Sequence, residues 1–298
     1  MKAPIVLFVY NRPDHVRQTI EALASNIHAS ESILIIYSDA PKNQEAKEPV
    51  QKVRSFIKEI KGFKSITIIE RDINWGLARS IIDGVTNVIN QHGKVIVLED
   101  DIVISPYFLQ FMNDALEYYS NEKKVWHISG WNYSFDTYGI GDAFFWRVMN
   151  CWGWATWKDR WQYFEKDVDK LIANFTEDDI YRFNLNGAEN FWYQVLANKS
   201  NTINTWAIFW YATIFKKNGL CLNPCKSFVT NIGQDGTGIH CNSDSIFINN
   251  LLCEKTIDFR GLIIEENEIA VDKIMCFYNK FYKKSKNIFR RIFRRIKK

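Results

Sequence analysis

Two hydrophobic periods alternate over the first 122 residues, and that alternation leaves few architectures open. "IVLFVY" (5–10) is a continuous apolar run, as a strand covered on both faces requires. "RPDHVRQTIEALASN" (12–26) then spaces Val16, Ile20 and Leu23 along one helical face, with Pro13 near its start. The same exchange recurs three times. Strand patterns cover 32–39, 65–71 and 94–101; helical patterns cover 46–60, 74–93 and 106–122. Strands and helices in this order give an α/β fold, a Rossmann-like and mostly parallel sheet flanked by helices.

Ligands of such sheets bind at the carboxyl ends of the strands. The polar residues at those ends are Asn11-Arg12, Asp39, Arg71-Asp72 and Glu99-Asp100-Asp101. The acid triplet carries the strongest chemical signal. Adjacent carboxylates repel one another unless a cation joins them. Hard oxygen donors select Mg²⁺ or Mn²⁺, ions that keep positions open for substrate phosphates. Ile102, Val103 and Ile104 follow at once, so the chain stays buried past the acids, unlike a solvated turn.

The second half reads differently. "VWHISGW" (125–131) has strand character, "AFFWRVMNCWGWATWKDRW" (143–161) is dense in Trp, and helical spacing resumes over 165–198 and 204–217. Residues 220–233 look extended, and "GQDGTGIHCN" (233–242) holds three Gly in ten residues, which predicts a mobile loop. With 47% apolar residues in 298, one large domain is expected over 1–272, as a nucleotide-binding half (1–123) and an acceptor half with a lid (124–272). No run of eighteen apolar residues and no secretory leader is present in the pattern. The six Cys are expected as free thiols of a reducing, cytoplasmic compartment. The spacing of Cys221, Cys225, His240 and Cys241 fits no usual zinc site.

Charge is uneven. Eleven Lys or Arg and no acid lie between Lys273 and Lys298, so residues 1–272 carry −7 within a total of +4. In 277–298, Phe277, Phe281, Ile288, Phe289, Ile292, Phe293 and Ile296 form one helical stripe among basic residues. That pattern predicts a basic amphipathic C-terminal helix (273–298) lying on an anionic membrane surface. The acidic body does not continue a basic track, so nucleic acid is not an expected partner.

The ordered pieces "LFVYNRPDHV", "IIYSDAP", "GLARSIIDGV", "VIVLEDDIVISPYF", "HISGWNY", "CWGWATWKDRW" and "NPCKSFVTNIGQDGTGIHC" together resemble nucleotide-sugar glycosyltransferases of the GT-A fold. The similarity is to the N-acetylglucosaminyltransferase I type and related bacterial sugar transferases, over roughly residues 3–245. It implies a nucleotide-sugar donor, UDP-sugar above all, and a divalent metal. It places Arg12 on the donor's phosphates, Asp39 on the base, Arg79 beside the donor, Asp100 on the ribose or sugar and Asp101 directly on the metal. Glu99 stands behind them. His240, in the Gly-rich loop, is a candidate metal or pyrophosphate ligand. Trp152, Gly153 and Trp154 are expected near the sugar cleft, where aromatic faces suit pyranose rings.

The sequence departs from that pattern at one point. The family's catalytic base follows a Trp that lies 18 residues before a Pro. Trp206 and Pro224 keep the spacing, but Ala207 occupies the base position and takes no proton. Glu189 and Asp235 are the candidate substitutes, and a retaining outcome stays open. The expected acceptor is a lipid-linked glycan in bacterial surface polysaccharide synthesis, met on the inner face of the cell membrane. Two other readings compete. A sugar-phosphate nucleotidyltransferase would carry a Gly-rich loop after the first strand, which "VYNRPDHV" lacks. A non-catalytic, membrane-docked glycan-binding module of the same fold would account for Ala207.

Overall fold

A computed structural model describes residues 1–233, 235 and 252–280. The described residues form ten strands: β1 (Ile5–Val9), β2 (Ile33–Ser38), β3 (Ser65–Glu70), β4 (Lys94–Glu99), β5 (Ile102–Ile104), β6 (Val125–Ser129), β7 (Ala143–Trp146), β8 (Trp154–Trp157), β9 (Leu220–Pro224) and β10 (Val229–Asn231). The helices are α1 (Pro13–Ala24), α2 (Lys47–Ile57), α3 (Leu77–His92), α4 (Phe108–Tyr118), α5 (Lys158–Trp161), α6 (Val168–Ala173), α7 (Glu177–Phe183), α8 (Trp192–Lys199), α9 (Ala207–Lys216) and α10 (268–280).

Eight strands form one sheet in the order β3-β2-β1-β4-β8-β6-β9-β7. β3, β2, β1 and β4 run parallel, which the crossover helices α1, α2 and α3 make possible. Every residue of β1 is buried, as the unbroken apolar run requires. Val16, Ile20 and Leu23 of α1 are buried too, so the helical spacing does what it predicted. The fold class is therefore as expected from the pattern: a mostly parallel sheet flanked by helices.

The sheet continues where the sequence pattern was hard to read. β8 pairs antiparallel with both β4 and β6, and β7 runs antiparallel to β9. β7 and β8 lie inside the Trp-dense stretch, whose bulky residues point to both faces and mask any period. The acid triplet does not end its chain segment at the surface. After Asp101 the backbone enters β5, which pairs antiparallel with β10 in a separate two-stranded ribbon, Ile104 facing Val229 and Ile102 facing Asn231. Ile102 and Ile104 are buried there, which explains why apolar residues follow the acids.

The border expected at 272/273 falls inside α10. Its Tyr278 hydroxyl meets that of Tyr133 at 2.6 Å, and the Phe277 ring lies 5.5 Å from the Tyr133 ring. Residues 273–280 thus pack as part of the body, because aromatic rings on that turn find a partner there. Residues 281–298, which carry most of the expected membrane stripe, lie outside the described residues. Among the described residues, no helix is long and apolar enough to cross a membrane.

Candidate active site

The site is built at the carboxyl ends of β1, β2 and β4. β4 delivers Glu99, and the turn after it places Asp100 and Asp101 beside the start of α1. Asp100 and Asp101 are nearly buried. The Arg12 guanidinium joins them: one amino nitrogen, Nη2, donates to Asp100 Oδ1 and, at 2.8 Å, to Asp101 Oδ2. The Tyr10 N–H adds a bond to Asp100 Oδ2 (3.2 Å), and Thr19 Oγ1 donates to the Asp100 carbonyl (2.8 Å). The first turn of α1 and the end of β4 are thereby locked together.

Electrostatics follow from this burial. Desolvation pushes the Glu99 carboxyl well up, and the charges of Asp101 and Asp100 push it further. Desolvation raises Asp100 as well, with Arg12 pulling it back. Burial works against the Arg12 charge, but Asp100 and Asp101 outweigh that and keep it protonated. The pair of acids is thus stable only with a cation between them, and here that cation is Arg12.

The second ribbon closes over this cluster. Ile232 N–H donates to the Asp101 carbonyl (2.9 Å), and Gly233 N–H to Asn231 Oδ1 (2.8 Å). A side chain at 233 would overlap Asp101 Oδ2 and press on Arg12 Nη1, so any other residue would push the ends of both side chains aside. Asp235 stands near the same helix turn, its Oδ2 3.2 Å from His15 Nε2. His240 lies outside the described residues.

Could these residues hold a divalent metal? The donor set is two hard carboxylates, Asp100 and Asp101, and Arg12 Nη1 is buried without a hydrogen-bond partner among the described residues. That orphaned N–H fits an absent phosphate oxygen. Among the described residues no three His, Cys, Asp or Glu gather around one point. Among the described residues the protein side of such a site is one or two carboxylates, which leaves further positions for phosphate oxygens and water, as hard cations in phosphate sites are usually held. The residues fit the group.

Asp39 does something the sequence did not foretell. Its Oδ1 accepts from the N–H groups of Ala40 and Trp75, both at 2.9 Å; its Oδ2 accepts from Gly76 N–H (2.8 Å) and Asn74 Nδ2 (3.1 Å). Trp75 N–H also reaches Oδ2 at 3.2 Å, so each oxygen has at least two donors. Asp39 fixes the 74–76 loop at the head of α3, and a base N–H reaching it would displace one of those donors. From this loop the Trp75 ring projects between two guanidiniums, Arg71 Cζ at 3.7 Å and Arg79 Cζ at 3.8 Å from its centroid. Two groups that close to one centroid would collide on a single face, so they cover opposite faces. Arg79 is exposed, beside the loop that Asp39 holds.

The aromatic residues divide. Trp154 is a correction: it is fully buried in β8, stacked 5.1 Å from Trp206 and 5.4 Å from His127, and cannot touch a sugar. It packs inside because β8 is an interior strand, and its side chain faces the helical layer. Gly153 has a packing role of its own. At φ +63° its missing side chain makes room for Phe108 and Val229, and its carbonyl accepts from Gly130 N–H at 2.7 Å. Its need for glycine is one of packing. Trp152 is half-buried, its ring 4.8 Å from Trp131. Between it and the acids sits Cys151, whose thiol is pushed far up by burial and by the charge of Glu99, with Asp101 adding to it. Nothing in the linear pattern pointed to that neighbour.

Glu189 is half-buried ahead of α8, its Oε1 accepting from Asn190 N–H at 2.7 Å. Burial raises the Tyr133 hydroxyl, and the charge of Glu189 raises it further. The Tyr133 hydroxyl thus feels the charge of Glu189. Ala207 opens α9, directly after Trp206, and offers no acid there.

A model of the GNT-I family matches residues 1–165 of the chain. No curated protein matches it. Among solved structures, TarS of S. aureus is 14% identical with a TM-score of 0.32, over 45% of this chain and 22% of TarS. A TarS 1–349 complex with UDP is 15% identical with a TM-score of 0.31, over 43% of this chain and 35% of that one. The mannosyltransferase PcManGT from Pyrobaculum calidifontis, in complex with GDP-Man and Mn²⁺, is 9% identical with a TM-score of 0.36, over 73% of this chain and 70% of that one. The chain thus spans well under half the length of the TarS chains.

Proposed function

The chain belongs to the GNT-I family of glycosyltransferases, and from that premise we propose that it transfers a sugar from a UDP-sugar to a glycan acceptor, with Mn²⁺ or Mg²⁺ at Asp101. The observation that carries this reading is the buried Asp100–Asp101 pair bridged by Arg12 at the end of β4. Two acids held together by one movable cation form a socket for a metal diphosphate. When bound, the divalent ion neutralises the charge that develops on the leaving nucleotide diphosphate.

The chain's own residues supply the rest. Arg12 releases the acids and turns its orphaned Nη1 and freed Nη2 to phosphate oxygens, a pairing that suits its planar fork. Asp100 then accepts from a ribose or sugar hydroxyl. Asp39 holds the 74–76 loop against the base and gives up the Asn74 side chain to receive the base N–H. Arg79 approaches the donor from the same loop. Gly233 lets the backbone close over the diphosphate, and Trp152 borders the sugar. Glu189 is the proton acceptor we favour, since it is half-buried, while Asp235 is tied to His15 on the donor side. The acceptor is a lipid-linked glycan of bacterial surface polysaccharide, met by an enzyme resting on the inner membrane face through the basic residues after 280.

Thermal unfolding with UDP, GDP and CMP, each with and without Mn²⁺, tests the reading. UDP is expected to stabilise the protein only with Mn²⁺, and Asp101→Ala to abolish that stabilisation. No response to any nucleotide would overturn it.

A further inference from the structure

Beyond the acid pair, two adjoining cavities follow the outside of the site. One of about 470 Å³ begins at Trp75 and Arg79 on α3. The other, of about 440 Å³, ends at Phe209 in the first turn of α9. Lys166 and Asn204 line both, so the two form one groove. It runs from the loop that Asp39 holds to the helix that opens with Ala207, a path outside the donor's own pocket.

The lining has a distinct chemistry. Lys166 Nζ donates to Asn204 Oδ1 and lies 5.6 Å from the Phe209 ring centroid. Its two flanking acids are engaged elsewhere: Glu165 pairs with Lys170 at 2.8 Å, and Asp167 caps α6 by accepting from Lys170 N–H. Desolvation lowers the Lys166 pKa, and no carboxylate among the described residues offsets it. Asp83, the one acid among the described residues that line the groove, is held in an ion pair by Arg71. Asn201 adds an amide at the far end. Two cations, Lys166 and Arg79, beside one acid already paired elsewhere, with side-chain amides and aromatic edges, are what a sugar chain bearing negative charge would meet.

We propose that this groove binds an anionic saccharide, and that it seats the acceptor chain of the transfer reaction proposed above. The negative group, carboxylate or phosphate, pairs with Lys166, with Arg79 at the donor end; Asn201 and Asn204 bind ring hydroxyls, and the Phe209 edge contacts a sugar face. The proposal rests on the glycosyltransferase reading, which the experiment separates from it.

The test is equilibrium titration of the full chain with trigalacturonate, with a singly phosphorylated trisaccharide and with neutral maltotriose, beside a UDP–Mn²⁺ titration. One of the two anionic probes is expected to bind, more weakly as salt rises, and which one binds identifies the charged group. Lys166→Glu should weaken that binding at least about tenfold and leave UDP binding unchanged. Asn201→Asp, at a backbone φ of 56° that Asp tolerates, should weaken it in the same direction. Maltotriose binding as tightly as the anionic probes, binding by no probe, or indifference to Lys166→Glu would overturn the inference. UDP binding intact in that case leaves the glycosyltransferase reading standing; loss of UDP binding in the wild type strikes that reading instead.

Discussion

The two halves of the sheet treat charge and aromatic rings in opposite ways. In the half built from β1 to β4, apolar strands stop at polar residues, and those residues bond across the strand ends: Arg12 to Asp100 and Asp101, Asp39 to the 74–76 loop. In the half built around β6 and β8, aromatic residues stack inward. Trp154 lies between Trp206 and His127, and Trp161 sits 5.0 Å from Trp210. The difference teaches where chemistry resides. Polar groups at strand ends face a mouth and can exchange partners with a ligand, whereas the Trp cluster is a core that sets distances. A density of Trp in the sequence is no guide to a sugar cleft here.

The comparison can be broken in three ways. Trp154→Ala should be the most damaging, costing about 4 kcal/mol of stability, since it empties the centre of the stacked cluster. Urea unfolding measures it. A cost under about 1 kcal/mol would mean that Trp154 does not hold the core and that the two halves are less distinct than described.

Arg12→Met tests the other half. It leaves two buried carboxylates without their cation and should cost about 3 kcal/mol when no divalent metal is present. Mn²⁺ should then stabilise the variant more than the wild type, because it no longer competes with the guanidinium. Equal responses to Mn²⁺ in calorimetric unfolding would show that Arg12 does not occupy the cation's place.

The third effect is the smallest and depends on pH. His127, buried under Trp154, donates from Nε2 to the Asn150 carbonyl at 3.0 Å and accepts at Nδ1 from the Trp210 indole N–H at 3.3 Å. Both nitrogens are used, so the neutral ring has no site for another proton. Burial lowers its pKa to about 3 from 6.5. The unfolded chain therefore binds the proton first as pH falls. The stability contributed by neutral His127 is complete above pH 6.5 and is lost progressively below it, until the folded pKa near 3 is reached. Between pH 6.5 and 5 the loss should be about 2 kcal/mol. His127→Gln should remove that part of the slope in urea titrations at the two pH values. An unchanged slope would mean that His127 is protonated in the folded protein.

How much of this was legible in the chain itself differs by region. The strands and helices of 5–122 were readable because each is covered on the side its period demands, and the acid triplet was placed at the sheet mouth by the same logic. Arg12 and Asp101 were each singled out from their places at strand ends; the direct ion pair between them was not visible, since 89 residues separate them. β7 and β8 were hidden because Trp and Phe on both faces erase the alternation of a strand. Trp154 and Gly153 looked like a sugar platform for the same reason: residue type reports size and polarity, and gives no direction.

The sequence alone determined the parallel α/β layout and the concentration of acids after the fourth apolar strand, because periodicity and strand-end polarity are local properties that the backbone converts directly into covered faces and exposed ends. Only the tertiary structure decided what those ends bond to. Arg12 lies between the acids because α1 begins beside β4, Asp39 is saturated because the head of α3 folds over β2, and Gly233 reaches Asp101 because β10 pairs with β5. Each depends on segments far apart in the chain meeting in space, where burial removes water and leaves a charge no partner except the nearest opposite one.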